Sequence, residues 1–306
     1  LLEPYHNVRG AILDGFVERT WSWNVQALEK SANIPYTSPW IGILHNPHNM
    51  PEWFNYSTSP QSIFKRASFQ DSIEQCRGFF VLSNYLKSWL ESQFSFPVET
   101  VLHPSDPVDI TFDYNNFLAN NDKQIVGIGW WLRKQTSIYT LPINTKSIYS
   151  KCRTLPYSKG SKPITDMLHP LFEKEMEVLN ISHDEMREYT NKYPVEVHYK
   201  LSHHDYDTLL SKNIAYIDVW DSSANNTVVE CMSRETPILA PRHPAIVEYL
   251  GKDYPLYFDT DTDAINKVMD MDQIKKAHLY LKDRKNIISN EVFVDSFINS
   301  SIYQNL

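Results

Sequence analysis

Short apolar runs alternate with longer stretches whose apolar residues recur every three or four positions, and the alternation continues along most of the chain. In the first third the runs are Gly10–Phe16 (GAILDGF), Trp40–Asn46 (WIGILHN), Gly78–Asn84 (GFFVLSN) and Val98–Pro104 (VETVLHP). After the third run, Leu86, Trp89, Leu90 and Phe94 fall on one helical face. Strand, amphipathic helix, strand is the pattern of βαβ units and a parallel sheet.

The segment from Ser105 to Gln124 is polar, rich in turn residues and carries Pro107, so it reads as a connection between domains. A second series then begins. Gln124–Leu132 (QIVGIGWWL), Val195–Ser202, Ile214–Trp220 (IAYIDVW), Thr236–Pro241 and Tyr254–Asp259 predict strands. Leu168–Asn180, His204–Asn213, Asn226–Arg234 and His243–Leu250 predict helices, the last stopped by Gly251. The expected architecture is α/β, with two Rossmann-like domains facing a cleft. Residues 1–110 form the first domain, 111–124 the linker and 125–306 the second, whose final helix packs back on the first. Ligands of such sheets bind beyond the C-terminal ends of the strands, so the loops after strands carry most of the chemistry.

Composition narrows the partners. The chain of 306 residues has net charge −8 and no basic block, which argues against nucleic acid and anionic membrane. No apolar run reaches the ~20 residues that span a bilayer. Cys76, Cys152 and Cys231 make neither a metal spacing nor a disulfide framework, so a reducing, cytoplasmic setting is expected. The first residue, Leu1, points to a processed chain or to a piece of a longer protein with other domains.

Three places invite chemistry. The loop Asp221-Ser222-Ser223-Ala224-Asn225-Asn226 precedes a helix near Thr227, and the head of a helix after small residues suits a phosphate. Glu230, three or four residues on, reads either as the far half of a capping box or as a carboxylate for the two hydroxyls of a ribose. Arg133 and Lys134 follow the strand that ends near Gly129, and they are either a solvated pair or an anion site. His45 and His48 leave the strand Trp40–Leu44 beside asparagines. A metal on His-x-x-His is disfavoured, because no cysteine or carboxylate follows at ligand spacing. Asp14 and Glu18 stand near the end of the first strand. Of Trp130 and Trp131, one is expected in the core.

The stretch from Val228 to Gly251 (VVECMSRETPILAPRHPAIVEYLG) resembles the nucleotide-binding segment of GT-B glycosyltransferases, with loop, helix, Thr-Pro strand and following helix in order. The resemblance implies that Glu230 binds the donor ribose, while loop residues Asp221, Ser222, Asn225, Asn226 and Thr227 hold the diphosphate with Arg133 and Lys134. It implies His45 and His48 near the sugar and acceptor, and Asp14 or Glu18 as a base if transfer inverts the anomer. No metal or other cofactor is required, and the partners are a nucleotide sugar and a hydroxyl acceptor such as a glycan. Two features depart from the family pattern. The first of two glutamates with seven residues between them falls on Ser222, with Asp221 beside it, and Glu235 replaces a glycine. A nucleotide-sugar epimerase of the same fold and a non-catalytic nucleotide-sugar-binding module are the alternative readings. A Rossmann dehydrogenase is disfavoured, since no Gly-x-Gly-x-x-Gly follows a strand.

Overall fold

The computed structural model describes residues 1–6, 10–150 and 168–306. The described chain divides into two compact units. Unit 1 comprises 1–106, 221–225 and 286–306, and unit 2 comprises 107–220 and 226–285. Cys152 lies outside the described residues, while Cys76 and Cys231 are buried thiols.

Unit 1 holds a four-stranded parallel sheet in the order β1-β2-β3-β4, with β1 at Ile12–Asp14, β2 at Trp40–Leu44, β3 at Cys76–Val81 and β4 at Val98–Thr100. All five residues of β2 are buried, as a central strand covered on both faces requires. One face packs an aromatic core in which Trp21 meets Trp40 and Phe69 at ring separations of 4.9 and 5.2 Å. Gly42 makes this packing possible, because a Cβ there would lie 2.7 Å from Val17 and 2.9 Å from Phe79. The other face is covered by Phe293, Phe297 and Ile302 from the chain's last segment, with Phe80 stacked on Phe297 at 4.5 Å.

Unit 2 is built on six parallel strands in the order β10-β9-β8-β5-β6-β7. These are β5 at Ile125–Ile128, β6 at Lys146–Ser150, β7 at Val195–Tyr199, β8 at Ile214–Tyr216, β9 at Ile238–Pro241 and β10 at Tyr257–Phe258. The chain moves outward from β5 to β6 and β7, then returns to β8 on the opposite side. The strand order therefore reverses between β5 and β8, the place where open α/β sheets bind ligands. Within 111–124, the Asp113 side chain caps a short helix, Tyr114–Ala119, whose Phe117 is buried against Phe112.

The strand β6 is not visible in the apolar pattern, because two of its buried positions are polar. Lys146 and Ser147 are 2% and 0% exposed. The Lys146 ammonium donates to the carbonyls of Tyr139 and Leu141, each at 2.7 Å. Burial pushes this group down to about 7, against the pull of Asp261. In the unfolded chain it keeps its proton to about pH 10.4. Between these values the unfolded state binds more protons, so stability rises with pH by up to about 1.4 kcal/mol per unit. Lys146→Met removes this contribution. In urea unfolding, the wild-type chain should gain about 2 kcal/mol on the variant from about pH 7 to pH 8.5. Parallel pH curves for the two proteins would rule out this role.

Candidate functional site

At the exit of β5 the backbone turns at Gly129, whose φ of +81° favours glycine. A Cβ at Gly129 would also crowd the Arg133 guanidinium at 3.3 Å and touch the Thr227 hydroxyl at 3.5 Å. The turn is tied to the segment after β8. Lys134 N donates to Asp218 O at 3.0 Å, and Trp220 N donates to Leu132 O at 2.9 Å. Leu132 is held at φ +52°, a conformation that costs roughly 1 kcal/mol or more for a residue with a side chain. A buried carboxylate holds the loop from behind. Glu175, 0% exposed, accepts from Gln135 N (3.0 Å), Thr136 N (2.7 Å), Thr136 Oγ1 (2.7 Å) and Trp220 Nε1 (3.0 Å).

The two cations of this loop have different surroundings. Arg133 donates to Ile128 O at 3.3 Å, Trp131 O at 3.0 Å and Thr227 Oγ1 at 3.2 Å. Burial lowers it to about 10, offset by the nearby charge of Glu230, so it stays a cation at neutral pH. Lys134 pairs with Asp218 at 3.1 Å, and burial raises the Asp218 carboxyl against that pairing. Both cations line a small concavity with Gly129, Ser137, Tyr216 and Asp218. Neither Trp130 nor Trp131 is buried, which corrects the expectation that one is core. They form an edge-to-face pair at 5.3 Å beside the glycine turn.

The helix Asn226–Arg234 has Asn226 and Thr227 as its first two residues, so Thr227 is inside the helix rather than its cap. The Thr227 hydroxyl reaches back toward Ile128 O at 3.5 Å. Glu230 stands one turn further on and is partly buried. Its Oε2 accepts from Tyr206 Oη at 2.6 Å, a partner the sequence reading did not find. Tyr206 lies on the helix His203–Ser211, with the Tyr149 ring 4.6 Å from its own. Glu235, where the resemblance leads one to expect glycine, sits at φ +57°, a conformation that favours glycine. Here its carboxylate is bonded to Lys285 Nζ at 2.6 Å.

The other expected residues belong to unit 1. Asp221 is buried and accepts from Asn49 N at 2.9 Å and Ser222 N at 2.8 Å. Ser222 and Asn225 are buried beside it in sequence. Asp14 accepts from Phe16 N at 3.1 Å and Tyr36 Oη at 3.2 Å, and burial raises its carboxyl above the usual range. Glu18 is wholly buried behind the loop that leaves β2. His45 stacks on Phe16 at 4.0 Å, and His48 stacks on Trp89 at 5.1 Å. The two histidines thus have different aromatic supports.

No protein-family model and no curated protein sequence matches the chain. Solved structures do match in fold. A sucrose-phosphate synthase from Thermosynechococcus elongatus aligns over 99% of this chain and 76% of its own, with TM-score 0.62 and 11% identity. A UDP-forming trehalose-phosphate synthase from Burkholderia xenovorans aligns over 99% and 75%, with TM-score 0.62 and 11% identity. TarM of S. aureus, in a complex with UDP, aligns over 91% of this chain and 53% of its own, with TM-score 0.54 and 13% identity. With its two parallel sheets, the chain has the fold of the GT-B glycosyltransferases.

Proposed function

We propose that the chain is a glycosyltransferase, moving a sugar from a nucleoside-diphosphate donor to an acceptor hydroxyl. The observation that carries the reading is the grouping of Gly129, Arg133, Thr227 and Glu230 at the strand exits of unit 2, in a GT-B fold. The amides of Asn226 and Thr227 open the helix and have no helical acceptor of their own, so they suit a diphosphate. Arg133 and Lys134 are the nearby cations. In the proposed reaction the sugar–oxygen bond breaks and negative charge collects on the departing diphosphate. Cations and amides already in place lower that barrier without reorganising. The reading assigns this role to the protein's own groups and includes no metal.

Glu230 is proposed to accept both ribose hydroxyls, sharing Oε2 with Tyr206 or displacing it. UDP is the first nucleotide to test, since one structural neighbour is described as UDP-forming and another as a UDP complex. A sugar hydroxyl is the first acceptor class, since a further neighbour is described in complex with glucose-6-phosphate.

The test is incubation of the chain with UDP-, GDP-, CDP- and dTDP-sugars, with and without sugar acceptors. Release of one nucleoside diphosphate, accelerated by acceptor and accompanied by a glycosylated product, is expected. Interconversion of two nucleotide sugars without acceptor would make the chain an epimerase. Tight nucleotide binding with no turnover on any acceptor would make it a binding module.

A further inference from the structure

The segment that leaves β1 carries an exposed tryptophan on a rigid support. Trp21 and Trp23 stand two residues apart on a turn of π-helix, Arg19–Trp23, and residues so spaced point to different sides. Trp21 is 0% exposed in the aromatic core, whereas Trp23 is 54% exposed. Turns of this kind recur at functional sites. Phe16 braces Trp23, with ring centroids 5.1 Å apart, and itself lies on His45 at 4.0 Å with 9° between the planes. The brace is fixed by its backbone. Phe16 N donates to Asp14 at 3.1 Å, and Phe16 O accepts from Arg19 N at 3.0 Å and Thr20 N at 3.3 Å. The next residue back is open, since a Cβ added at Gly15 would meet nothing within 4 Å.

The free area selects the kind of ligand. With about half of its surface open, Trp23 offers roughly 100 Å² of ring. A stable protein interface takes about 800 Å² from each partner. Ser22 and Asn24, on either side in sequence, are polar, so the ring is not the centre of an apolar run. One sugar ring fits such an area. A pyranose has a face of C–H bonds with slight positive charge, which suits the negative face of an indole, and its hydroxyls stay at the rim in water. A ring already braced also loses little freedom when a ligand settles on it. The two separations keep Trp23 no more than about 9 Å from His45, with Phe16 touching both. A sugar on Trp23 is therefore a neighbour of the β2 exit.

We propose that Trp23 is a platform for one ring of a saccharide acceptor, next to the ring that reacts, so that the acceptor is a chain of at least two sugars. The reacting ring rests on the glycosyl-transfer reading above, but the platform does not. Phe16 serves as its brace and keeps the indole at a fixed tilt of 37°.

Fluorine spectra of the full chain labelled with 5-fluorotryptophan test this. The 8 tryptophans give one signal each, and loss of one in Trp23→Phe assigns it. Maltohexaose, cellohexaose and chitohexaose are titrated in turn. Stacking uses the C–H face and tolerates the identity of the sugar, so at least one should shift the Trp23 signal. Binding of that hexasaccharide should weaken about tenfold in Trp23→Ala and less in Trp23→Phe, which keeps a smaller ring. Tyr189→Ala, which removes an exposed ring of unit 2, should leave it unchanged. No shift at Trp23 with any of the three, or equal binding by the wild type and Trp23→Ala, overturns the proposal. A Trp23 signal that moves only with protein concentration also overturns it, by making the ring a contact between copies of the chain. Once a donor is in hand, Trp23→Ala should raise KM for the hexasaccharide about tenfold and leave KM for the matching monosaccharide nearly constant. Equal rises for both would put the reacting ring itself on Trp23 and overturn the second-ring role. A wild-type chain that binds the hexasaccharide through Trp23 but turns over no donor would count against glycosyl transfer and leave the platform standing.

Discussion

Glu230→Ala is expected to weaken nucleoside-diphosphate binding about 30- to 100-fold. A carboxylate accepting two ribose hydroxyls makes charge-assisted hydrogen bonds worth roughly 1.5–3 kcal/mol each. The gain is less than the sum of two, because Tyr206 Oη already donates to one oxygen at 2.6 Å and must share or release it. A net loss of about 2–3 kcal/mol follows. With Glu230 present, burial lowers Arg133 only to about 10, and in the variant an approaching diphosphate supplies a negative charge in place of the lost carboxylate. Calorimetric titration of UDP and its counterparts measures the effect. Tyr206→Phe serves as its control. It removes the competing donor and leaves the carboxylate in place, so binding should hold or tighten. Equal affinities for the wild type and Glu230→Ala would remove the ribose role.

The second large effect is on stability. Glu175→Ala is expected to destabilise unit 2 by about 3–5 kcal/mol. The change strands four donors, two of them backbone amides, around a hole in a site that is 0% exposed. For a unit of this size that is a fall in melting temperature of roughly 10 °C. The Arg133–Lys134 loop is attached at Gln135 and Thr136, so nucleotide binding should weaken in the same variant even below its melting point. Glu175→Gln keeps an acceptor for part of the set and should fall between the two. A melting temperature within about 2 °C of wild type for Glu175→Ala would show that the loop does not depend on this carboxylate.

The two sheets were legible because most of their strands are apolar runs, such as Trp40–Leu44 and Ile125–Ile128. The strand Lys146–Ser150 was not, because burying a lysine and a serine leaves no such run. The helix His183–Lys192 has no apolar stripe to announce it, although Ser182 and Glu185 form a capping box that the sequence spells out. Its mean character is polar, and only Met186 is buried. Glu175 carried a signal too. It lies three residues from Phe172 and next to Met176, so a carboxylate falls on the buried stripe of its helix.

At the candidate site, the order of loop, helix and strand around Glu230 could be read directly, because it is local in sequence. Its contact with Tyr206, on a different helix, could not. The same limit held for Glu18 and His45. Each has the chemistry of a base, and only the fold places one behind the other. Lys134 and Arg133 are adjacent in sequence, yet one faces Asp218 and the other Thr227, a divergence set by the turn after Gly129.

The most direct measurement is a crystal structure of the chain with the nucleoside diphosphate that binds it most tightly. The phosphates should lie about 3 Å from the amides of Asn226 and Thr227 and from the Arg133 guanidinium, with both ribose hydroxyls on Glu230. A nucleotide seated elsewhere, with Glu230 still bonded to Tyr206 alone, would contradict the account.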